Sequence, residues 1–263
     1  MKLKTIFTDL DETLLNSEKI ISDRTLKAIK KAQAQGYGIV PCTGAPFSVQ
    51  FPRCEVAGVD YIISSNGAFI YDVKSDKVVY ESVLDTSLVK KFIEMAMPYC
   101  DDFLFHLSNK THIRLSKITG PLSDFLGANK ITQIEPRGSI EAMTEFSEPL
   151  QKFADENGLR IANKSLILSD KSVVWKLPYT GYDIVNGTVS KGSGLRRLCE
   201  ILGIDMADTV AIGDGMNDVL MFKEVGFKVA MGNALEQLKK LADIVVAHHD
   251  DDGVAEYLES IIN

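Results

Sequence analysis

The chain has 263 residues, of which 45% are hydrophobic and 25% are charged, and this composition excludes a disordered or collagen-like protein. Its 29 basic and 36 acidic residues leave a formal net charge of −7, which argues against binding to a nucleic-acid backbone. No run approaches about 18 consecutive apolar residues, and acids interrupt the start of the chain where a signal peptide needs an apolar core. We therefore expect a cytoplasmic protein with no membrane partner.

Strand and helix signals alternate through the first part of the chain. The predicted strands cover residues 3–10, 37–43 and 60–64, and the predicted helices cover residues 23–35 and 47–57. Ser22 is suited to cap the first helix, and Gly36 is suited to end it. A β-α-β-α-β alternation of this kind indicates a parallel sheet whose faces are covered by helices.

The pattern changes after residue 64. Segments 69–71 and 78–83 flank the polar residues 74–77, as the two strands of a hairpin do. Helix and strand signals then mix until about residue 185. They include an alternating strand over 110–117, a helix over 140–156 and short strands at 166–168 and 173–175. This stretch predicts an α+β insertion.

Regular alternation resumes after Gly187. The predicted helices cover 192–202, 216–224, 235–242 and 254–262, and the predicted strands cover 208–213, 227–231 and 243–247. The chain as a whole therefore predicts a doubly wound, mostly parallel, Rossmann-like α/β core formed by residues 1–83 and 187–263. An α+β domain, residues 84–186, is inserted into that core.

Polar residues collect at the predicted strand ends, which is where open α/β sheets bind ligands. Asp9 and Asp11 follow the first strand. Side chains two residues apart on an extended segment point the same way, so both could face one pocket. Asp214 and Asp218 follow the strand after the insertion and would share one face of a helix start. Four converging carboxylates cost free energy unless a cation neutralises them, and hard oxygen ligands favour Mg²⁺.

The glycine-rich run at residues 213–215 invites comparison with a dinucleotide-binding fingerprint. Asp218 stands where the third glycine should be, and the acidic loop would repel a pyrophosphate. No GxxxxGK[ST] phosphate loop occurs either. Both classes of nucleotide site are therefore excluded.

The strand-end residues resemble, in order, the four motifs of the haloacid dehalogenase-like hydrolases. The matching segments are Asp9-Leu10-Asp11-Glu12-Thr13, Thr43-Gly44, Lys191-Gly192 and Gly213-Asp214-Gly215-Met216-Asn217-Asp218. More narrowly, the chain is similar to the Cof-type sugar phosphatases from end to end, including Ser65-Asn66-Gly67-Ala68 and Asp252-Gly253-Val254-Ala255. The resemblance implies a Mg²⁺-dependent phosphatase whose partner is a small phosphorylated metabolite, with a sugar phosphate as the expected substrate.

The same resemblance implies roles for the acids. Asp9 would be the nucleophile that forms an aspartyl-phosphate, which splits one hard displacement into two easier ones. Asp11 would be the general acid and base, and it would have to carry a proton when the substrate arrives. The Mg²⁺ would be bound by the Asp9 carboxylate, the Asp11 main-chain carbonyl and Asp214, with Asp218 completing or supporting the site.

The resemblance also implies a phosphate-binding set. Thr43, Gly44, Lys191 and Asn217 would hold the phosphoryl oxygens, and Lys191 would in addition offset the charge of the acids. The inserted domain would be the cap that closes over the core and sets specificity. Its polar or aromatic candidates are His106, His112, Arg114 and Trp175, whereas residues 248–252 are expected to form a solvated loop.

Two residues depart from the Cof-type pattern. Glu12 stands where that branch usually has Gly, and Ala45 stands where it usually has Arg. We expect chemistry to survive both changes, while the missing arginine puts substrate affinity and identity in question.

Three other functions compete with the phosphatase. A signalling receiver also gathers acids, Thr and Lys around Mg²⁺, but receivers are about half this length and lack both the insertion and the 213–218 element. A phosphomutase of the same superfamily and a catalytically silent binding protein remain open. For the oligomeric state, we expect a monomer or a weak homo-oligomer.

Overall fold

The computed structural model describes residues 5–164 and 180–262. In chain order, its strands are β1 (Thr5–Thr8), β2 (Gly38–Pro41), β3 (Tyr61–Ser64), β4 (Phe69–Asp72), β5 (Lys77–Glu81), β6 (Asp102–Leu107), β7 (His112–Arg114), β8 (Ile131–Gly138), β9 (Leu159–Lys164), β10 (Thr180–Asn186), β11 (Thr209–Gly213), β12 (Phe227–Ala230) and β13 (Ile244–Val245). Its α-helices are α1 (Asp23–Ala34), α2 (Phe47–Cys54), α3 (Thr86–Ala96), α4 (Leu122–Ala128), α5 (Ile140–Asn157), α6 (Lys191–Leu202), α7 (Val219–Phe222), α8 (Glu236–Lys239) and α9 (Gly253–Ile261). Within the described ranges, no helix combines the length and the apolar character needed to cross a bilayer.

The chain forms two compact units, one from Met1–Tyr80 with Ser190–Asn263 and one from Glu81–Val189. We call them the core unit and the inserted unit. The predicted domain junctions, after residues 83 and 186, each lie three residues from the junctions between these units.

A five-stranded parallel sheet in the order β13-β12-β11-β1-β2 organises the core unit. In β1 the residue Thr8 lies opposite Ile212 of β11 on one side and Pro41 of β2 on the other. Every residue of β1 and β11 is buried, as expected for a parallel sheet with both faces covered. The predicted doubly wound, mostly parallel core is thus confirmed, and the segments after β1, β2 and β11 leave the sheet at one edge.

The third predicted parallel strand differs from the observed arrangement. β3 pairs antiparallel with β4 in a three-stranded β3-β4-β5 sheet, and it meets the segment after β2 only through a parallel bridge between Cys42 and Ile63. The short connection at residues 65–68 explains the difference, because a strand joined to its neighbour by so few residues pairs with it antiparallel.

Helix α6 begins close to the turn at residues 65–67, which follows β3 in the core unit. The Ser190 side chain accepts a hydrogen bond from the Ser193 main-chain N–H, and the Ser193 Oγ accepts one from the Ser190 main-chain N–H, which completes a capping box. A Cβ placed on Gly194 would lie 2.7 Å from the Cα of Gly67, so the helix start approaches the turn at residues 65–67 more closely than a side chain allows. This contact fixes where α6 begins.

The inserted unit has its own sheet, in the order β7-β6-β8-β10-β9, with antiparallel pairing between the neighbouring strands. One face of this sheet packs on α3 and α5 through an apolar core that includes Phe92, Phe103, Phe146 and Tyr182. The strand predicted over 110–117 is shorter than expected, since Leu115–Lys117 form a 3₁₀ turn after β7. The strands predicted at 166–168 and 173–175 lie outside the described residues.

Candidate active site

Three carboxylates converge where the chain leaves β1 and β11. One oxygen from each of Asp9, Asp214 and Asp218 lies within 4.8 Å of the other two. The Asp9 main-chain N–H donates to the Ile212 carbonyl at 2.9 Å, which holds the two strand ends side by side. Neighbouring parallel strands therefore bring these distant acids together, as their position in the sequence predicts.

Lys191 lies between two of these acids. Its Nζ is 2.7 Å from Asp9 Oδ1 and 2.7 Å from Asp218 Oδ1, and its side chain is 1% exposed. A lysine so thoroughly buried must be paired, because an isolated ammonium in the interior would lose its hydration without compensation. The first residue of α6 is thus part of the acidic cluster rather than a solvated helix start.

Asp218 orders the loop that carries Asp214. Its Oδ2 accepts hydrogen bonds from the main-chain N–H groups of Asp214 and Gly215, both at 3.0 Å, while its Oδ1 faces Lys191. These bonds produce a 3₁₀ turn at Met216–Asp218 ahead of the short helix α7, where the sequence predicts one continuous helix over 216–224. Because both of its carboxylate oxygens already have partners, Asp218 holds the other groups of the cluster in place and offers no unbonded oxygen of its own.

Thr13 is a member of the site that sequence reasoning did not assign. Its Oγ1 donates to Asp214 Oδ1 at 2.8 Å. The residue lies inside the first motif segment, which is the one signal in the sequence that points to it. A threonine hydroxyl carries no charge and is not an acid or base at neutral pH, so its residue type does not indicate a role. Its contact with an acid some two hundred residues later depends on the paired strand ends.

The cluster contains three acidic groups and one basic group. Burial raises the pKa of Asp9 to about 7, with Asp218 adding to the shift and Lys191 opposing it. Burial, together with Asp9 and Asp218, raises the pKa of Asp214 to about 9. Burial disfavours the Lys191 ammonium, but Asp218 and Asp9 outweigh it and raise the pKa of that lysine. When ionised, the three carboxylates outnumber the single ammonium, and this compact group of hard oxygens fits a divalent cation such as Mg²⁺.

The side chain of Asp11 does not join this cluster, so the expected convergence of four carboxylates is wrong. β1 ends at Thr8, and beyond it the chain turns instead of continuing the strand alternation that would aim Asp9 and Asp11 alike. Asp11 Oδ1 lies 3.0 Å from Lys19 Nζ, and Oδ2 accepts a hydrogen bond from Gln50 Nε2 at 2.5 Å. Lys19 and Gln50 carry no motif signal, and sequence reasoning missed both.

The predicted phosphate-binding residues lie in different surroundings. Thr43 is 2% exposed just beyond β2, and its Oγ1 accepts a hydrogen bond from the Ala45 N–H at 3.1 Å. Gly44 lies between them in the same turn. Asn217 is half-buried in the turn at Met216–Asp218, and among the described residues its side chain makes no hydrogen bond to the acids. Thr43 therefore lies at the same sheet edge as the cluster, whereas a role for Asn217 stays a prediction.

Glu12 adopts a backbone conformation that favours glycine. Its φ is 61°, its side chain is exposed, and its carbonyl accepts a hydrogen bond from Asn233 Nδ2 at 2.8 Å. A residue with a Cβ is strained in this left-handed conformation, whereas glycine is not. This explains why the Cof-type pattern has Gly at this position.

The loop at residues 248–252 is not simply solvated, contrary to expectation. The His249 side chain is 8% exposed, and its main-chain N–H donates to Asn233 Oδ1 at 3.1 Å. Both oxygens of Asp250 accept hydrogen bonds from Ser17, one from its N–H and one from its hydroxyl, each at 2.7 Å. The loop therefore holds in place the segment that runs from Glu12 to Lys19.

Among the specificity candidates that the structure describes in the inserted unit, His106 is the most enclosed. It is 2% exposed, and its Nε2 lies 2.5 Å from Glu135 Oε1, while Glu135 Oε2 pairs with Arg137. Burial opposes ionisation of Glu135, yet His106 and Arg137 lower its pKa to about 2. His112 and Arg114 are exposed on β7, and Trp175 lies outside the described residues.

Comparisons with known proteins agree with this geometry. The family model for haloacid dehalogenase-like hydrolases matches residues 6–258. The chain is 30% identical, over 99% of its own length and 99% of its relative's, to the 5-amino-6-(5-phospho-D-ribitylamino)uracil phosphatase YwtE of Bacillus subtilis. A second phosphatase of that name and organism, YitU, is 26% identical over 97% of this chain and 96% of its own.

Solved structures give the same result. A haloacid dehalogenase-like hydrolase from Bacteroides thetaiotaomicron has a TM-score of 0.77 at 28% identity, covering 99% of this chain and 100% of that one. A HAD subclass IIB sugar phosphatase shares the fold at a TM-score of 0.76 and 22% identity, with coverage of 99% and 100%. Since the family model spans nearly the whole chain and the strand-end acids lie where the motifs require them, the protein belongs to the haloacid dehalogenase-like hydrolase family.

Proposed function

We propose that the protein is a Mg²⁺-dependent phosphomonoesterase that hydrolyses a small phosphorylated metabolite, with a sugar phosphate as the expected substrate class. One observation carries the proposal: a buried Lys191 ammonium lies 2.7 Å from the Asp9 carboxylate, beside two further acids. A phosphoryl group is attacked by a carboxylate only when fixed positive charges screen its oxygens. The cluster supplies the carboxylate and one of those charges.

The reaction proceeds in two displacements. Asp9 attacks the phosphorus, the bond to the leaving oxygen breaks, and Asp11 gives its proton to that oxygen. Water, activated by the now ionised Asp11, then attacks the phosphorus of the aspartyl-phosphate, which frees Asp9 and inorganic phosphate. Lys191 and the Thr43 hydroxyl hold the phosphoryl oxygens through both steps.

The carboxylates of Asp9 and Asp214, with the Asp11 carbonyl, are the residues proposed to bind Mg²⁺. When bound, the ion screens phosphoryl charge and neutralises the surplus of the acids. Asp218 and Thr13 hold Asp214 in place, since they bond its main-chain N–H and its Oδ1 respectively.

The inserted unit is proposed to act as the specificity cap. It has its own apolar core and its own sheet, so it is suited to move as a body. His106, Glu135 and Arg137 form a paired polar cluster within it, and the exposed His112 and Arg114 are proposed to contact the hydroxyl groups of a substrate.

The decisive test measures phosphate release from sugar phosphates, nucleotides and an aryl phosphate, with Mg²⁺ or with a chelator. We expect Mg²⁺-dependent release that falls by at least about 10³-fold in Asp9→Asn, because the substituted amide is not a nucleophile. Asp60→Asn, which changes an exposed acid in the same unit, should keep wild-type turnover. Folded wild-type protein that releases no phosphate but transfers it to a second sugar would establish a mutase instead.

A further inference from the structure

We propose that Gln50 is a positioning residue for this reaction: its buried amide fixes the orientation of the Asp11 carboxylate from which the leaving oxygen takes its proton. The inference rests on the proposed function, because the role of Asp11 as acid and base is part of that function. It concerns a residue that lies in none of the motif segments.

The Gln50 side chain is fixed at both ends. The residue is 1% exposed on α2, and its Nε2 donates to Asp11 Oδ2 at 2.5 Å. Its Oε1 accepts a hydrogen bond from Arg53 Nη1, one helical turn later, at 3.2 Å. Since the arginine can only donate, the amide is oriented with its N–H₂ group toward Asp11. The contact is therefore a directed one between a buried donor and a catalytic carboxylate.

Asp11 needs such a contact because β1 no longer holds it. The strand ends at Thr8, and the Asp11 side chain, at 40% exposure, extends from a turn. A half-exposed carboxylate on a turn samples several rotamers, and proton transfer requires a narrow range of distance and angle. A rigid donor on a neighbouring helix narrows that range before the substrate arrives.

Lys19 contacts the other carboxylate oxygen in a different manner. The ion pair between Lys19 Nζ and Asp11 Oδ1 has side-chain exposures of 42% and 40%, and exposed pairs of this kind contribute little. Lys19 lies in a loop and its amine is on a flexible stem, whereas Gln50 is buried in a helix. Gln50 therefore fixes the orientation of the Asp11 carboxylate. The contact with Lys19 is the one that breaks when Asp11 turns toward a leaving group.

The test uses the dependence of the rate on the leaving group. Para-nitrophenolate departs without a proton, whereas phenolate and para-methoxyphenolate, which are similar to each other in basicity and far more basic than para-nitrophenolate, both need one. The three aryl phosphates have nearly the same shape, so binding changes little across the series. The kcat/KM of each is measured with Mg²⁺ for the wild type, Gln50→Met, Lys19→Met and the control Gln33→Met.

Gln50→Met keeps the side-chain length and removes the donor. We expect kcat/KM to fall by roughly tenfold or more for para-methoxyphenyl phosphate and to stay within about threefold for para-nitrophenyl phosphate. The loss should lie in kcat rather than KM, because Gln50 does not touch the phosphoryl site. Lys19→Met should have a smaller effect, and Gln33→Met, which removes an amide bonded to the carbonyls of Ala57 and Gly58, should have none.

Each result is decisive. An equal loss on all three substrates would reduce Gln50 to a structural role and overturn the inference, and so would unchanged kinetics. If Gln50→Met is not folded by circular dichroism, Gln50→Leu replaces it, since it also removes the donor without adding a charge, with the same expected dependence on the leaving group. Wild-type protein that releases no phosphate from any aryl ester would instead contradict the proposed function.

Discussion

Burial holds the carboxyl groups of Asp9 and Asp214 at pKa values of about 7 and about 9, well above the 3.8 of a free aspartate. A carboxyl with a raised folded pKa binds more protons in the folded state than in the unfolded state. Its contribution therefore favours folding at low pH, and that advantage is lost as the pH rises from the unfolded pKa through the folded pKa. Mg²⁺ bound at the proposed site would act in the opposite direction, because it would favour the ionised carboxylates.

We therefore predict that the melting temperature of the chelated protein falls as the pH rises from about 4, where the unfolded carboxyls ionise, towards about 9, the folded pKa of Asp214. Added Mg²⁺ should raise the melting temperature, and more so at the upper end of this pH range. Asp214→Asn should remove most of the slope in chelator, since the amide does not ionise. Thermal unfolding followed by circular dichroism measures this, and a melting temperature that rises with pH in chelator would contradict it.

Glu12 allows a test of backbone strain beside the active site. Its φ of 61° costs an L-residue about 1 kcal/mol, part of which glycine recovers because it adopts that conformation freely. We expect Glu12→Gly to stabilise the protein by about 0.5 kcal/mol in urea denaturation while keeping turnover. Glu18→Gly, at an exposed neighbouring position, is the matched control and should not stabilise.

The residues of the acidic cluster were predictable, but the arrangement around Asp11 was not. Asp9, Asp214 and Lys191 meet because parallel strands and a helix start share one sheet edge, and the order of motifs along the sequence encodes that edge. The separation of Asp11 from the cluster depends on β1 ending at Thr8, and its contact with Gln50 depends on how α2 packs. The hydrophobic periodicity of the sequence predicts neither the end of β1 nor the packing of α2.

At the scale of the single element, the bounds of a helix were predictable where a long apolar pattern and a capping residue define it. α5 extends over Ile140–Asn157, against a predicted 140–156, because Ser139 caps it and Met143, Phe146, Leu150 and Ala154 form one buried face. The predicted helix over 216–224 is instead a turn and a short helix, because the Asp218 carboxylate bonds the main chain ahead of it. A side-chain contact of this kind outweighs local propensity.

Helix α6 depends on a close contact with the turn at residues 65–67. Gly194→Ala would place a Cβ 2.7 Å from the Gly67 Cα, which is main chain and cannot move aside alone. We expect a loss of about 1–3 kcal/mol and a drop in activity, because the shift displaces Lys191 at the start of the same helix.

The control is Gly127→Ala in α4, where a new Cβ meets nothing within 4 Å. Alanine favours helix over glycine, so this variant should be neutral or stabilising by up to about 1 kcal/mol. Urea denaturation of both variants provides the measurement. Equal stability of the two would show that the contact at Gly194 relaxes without cost.

At the scale of the whole molecule, the two units differ in how much chain each needs. The inserted unit is one continuous segment, Glu81–Val189, with its own sheet and apolar core. The core unit needs two segments, because β1 pairs with β11 on one side. We therefore predict that a fragment of residues 81–189 folds alone and that a fragment of residues 1–80 does not.

Circular dichroism and the dispersion of amide proton resonances would report folding in each fragment. A cooperative thermal transition is expected for residues 81–189. A cooperative transition in residues 1–80 alone would contradict the requirement for β11, and its absence from residues 81–189 would contradict the independence of the insertion.

The pairing of β1 with β11 has a consequence during synthesis. Roughly 200 residues separate the two strands, so at about 5–20 residues per second the ribosome exposes β1 for on the order of 10–40 s before its partner strand emerges. The inserted unit is complete before that moment. A nascent chain stalled after residue 189 would thus carry a complete inserted unit, and its first strand would remain available to chaperones until Thr209–Gly213 emerge.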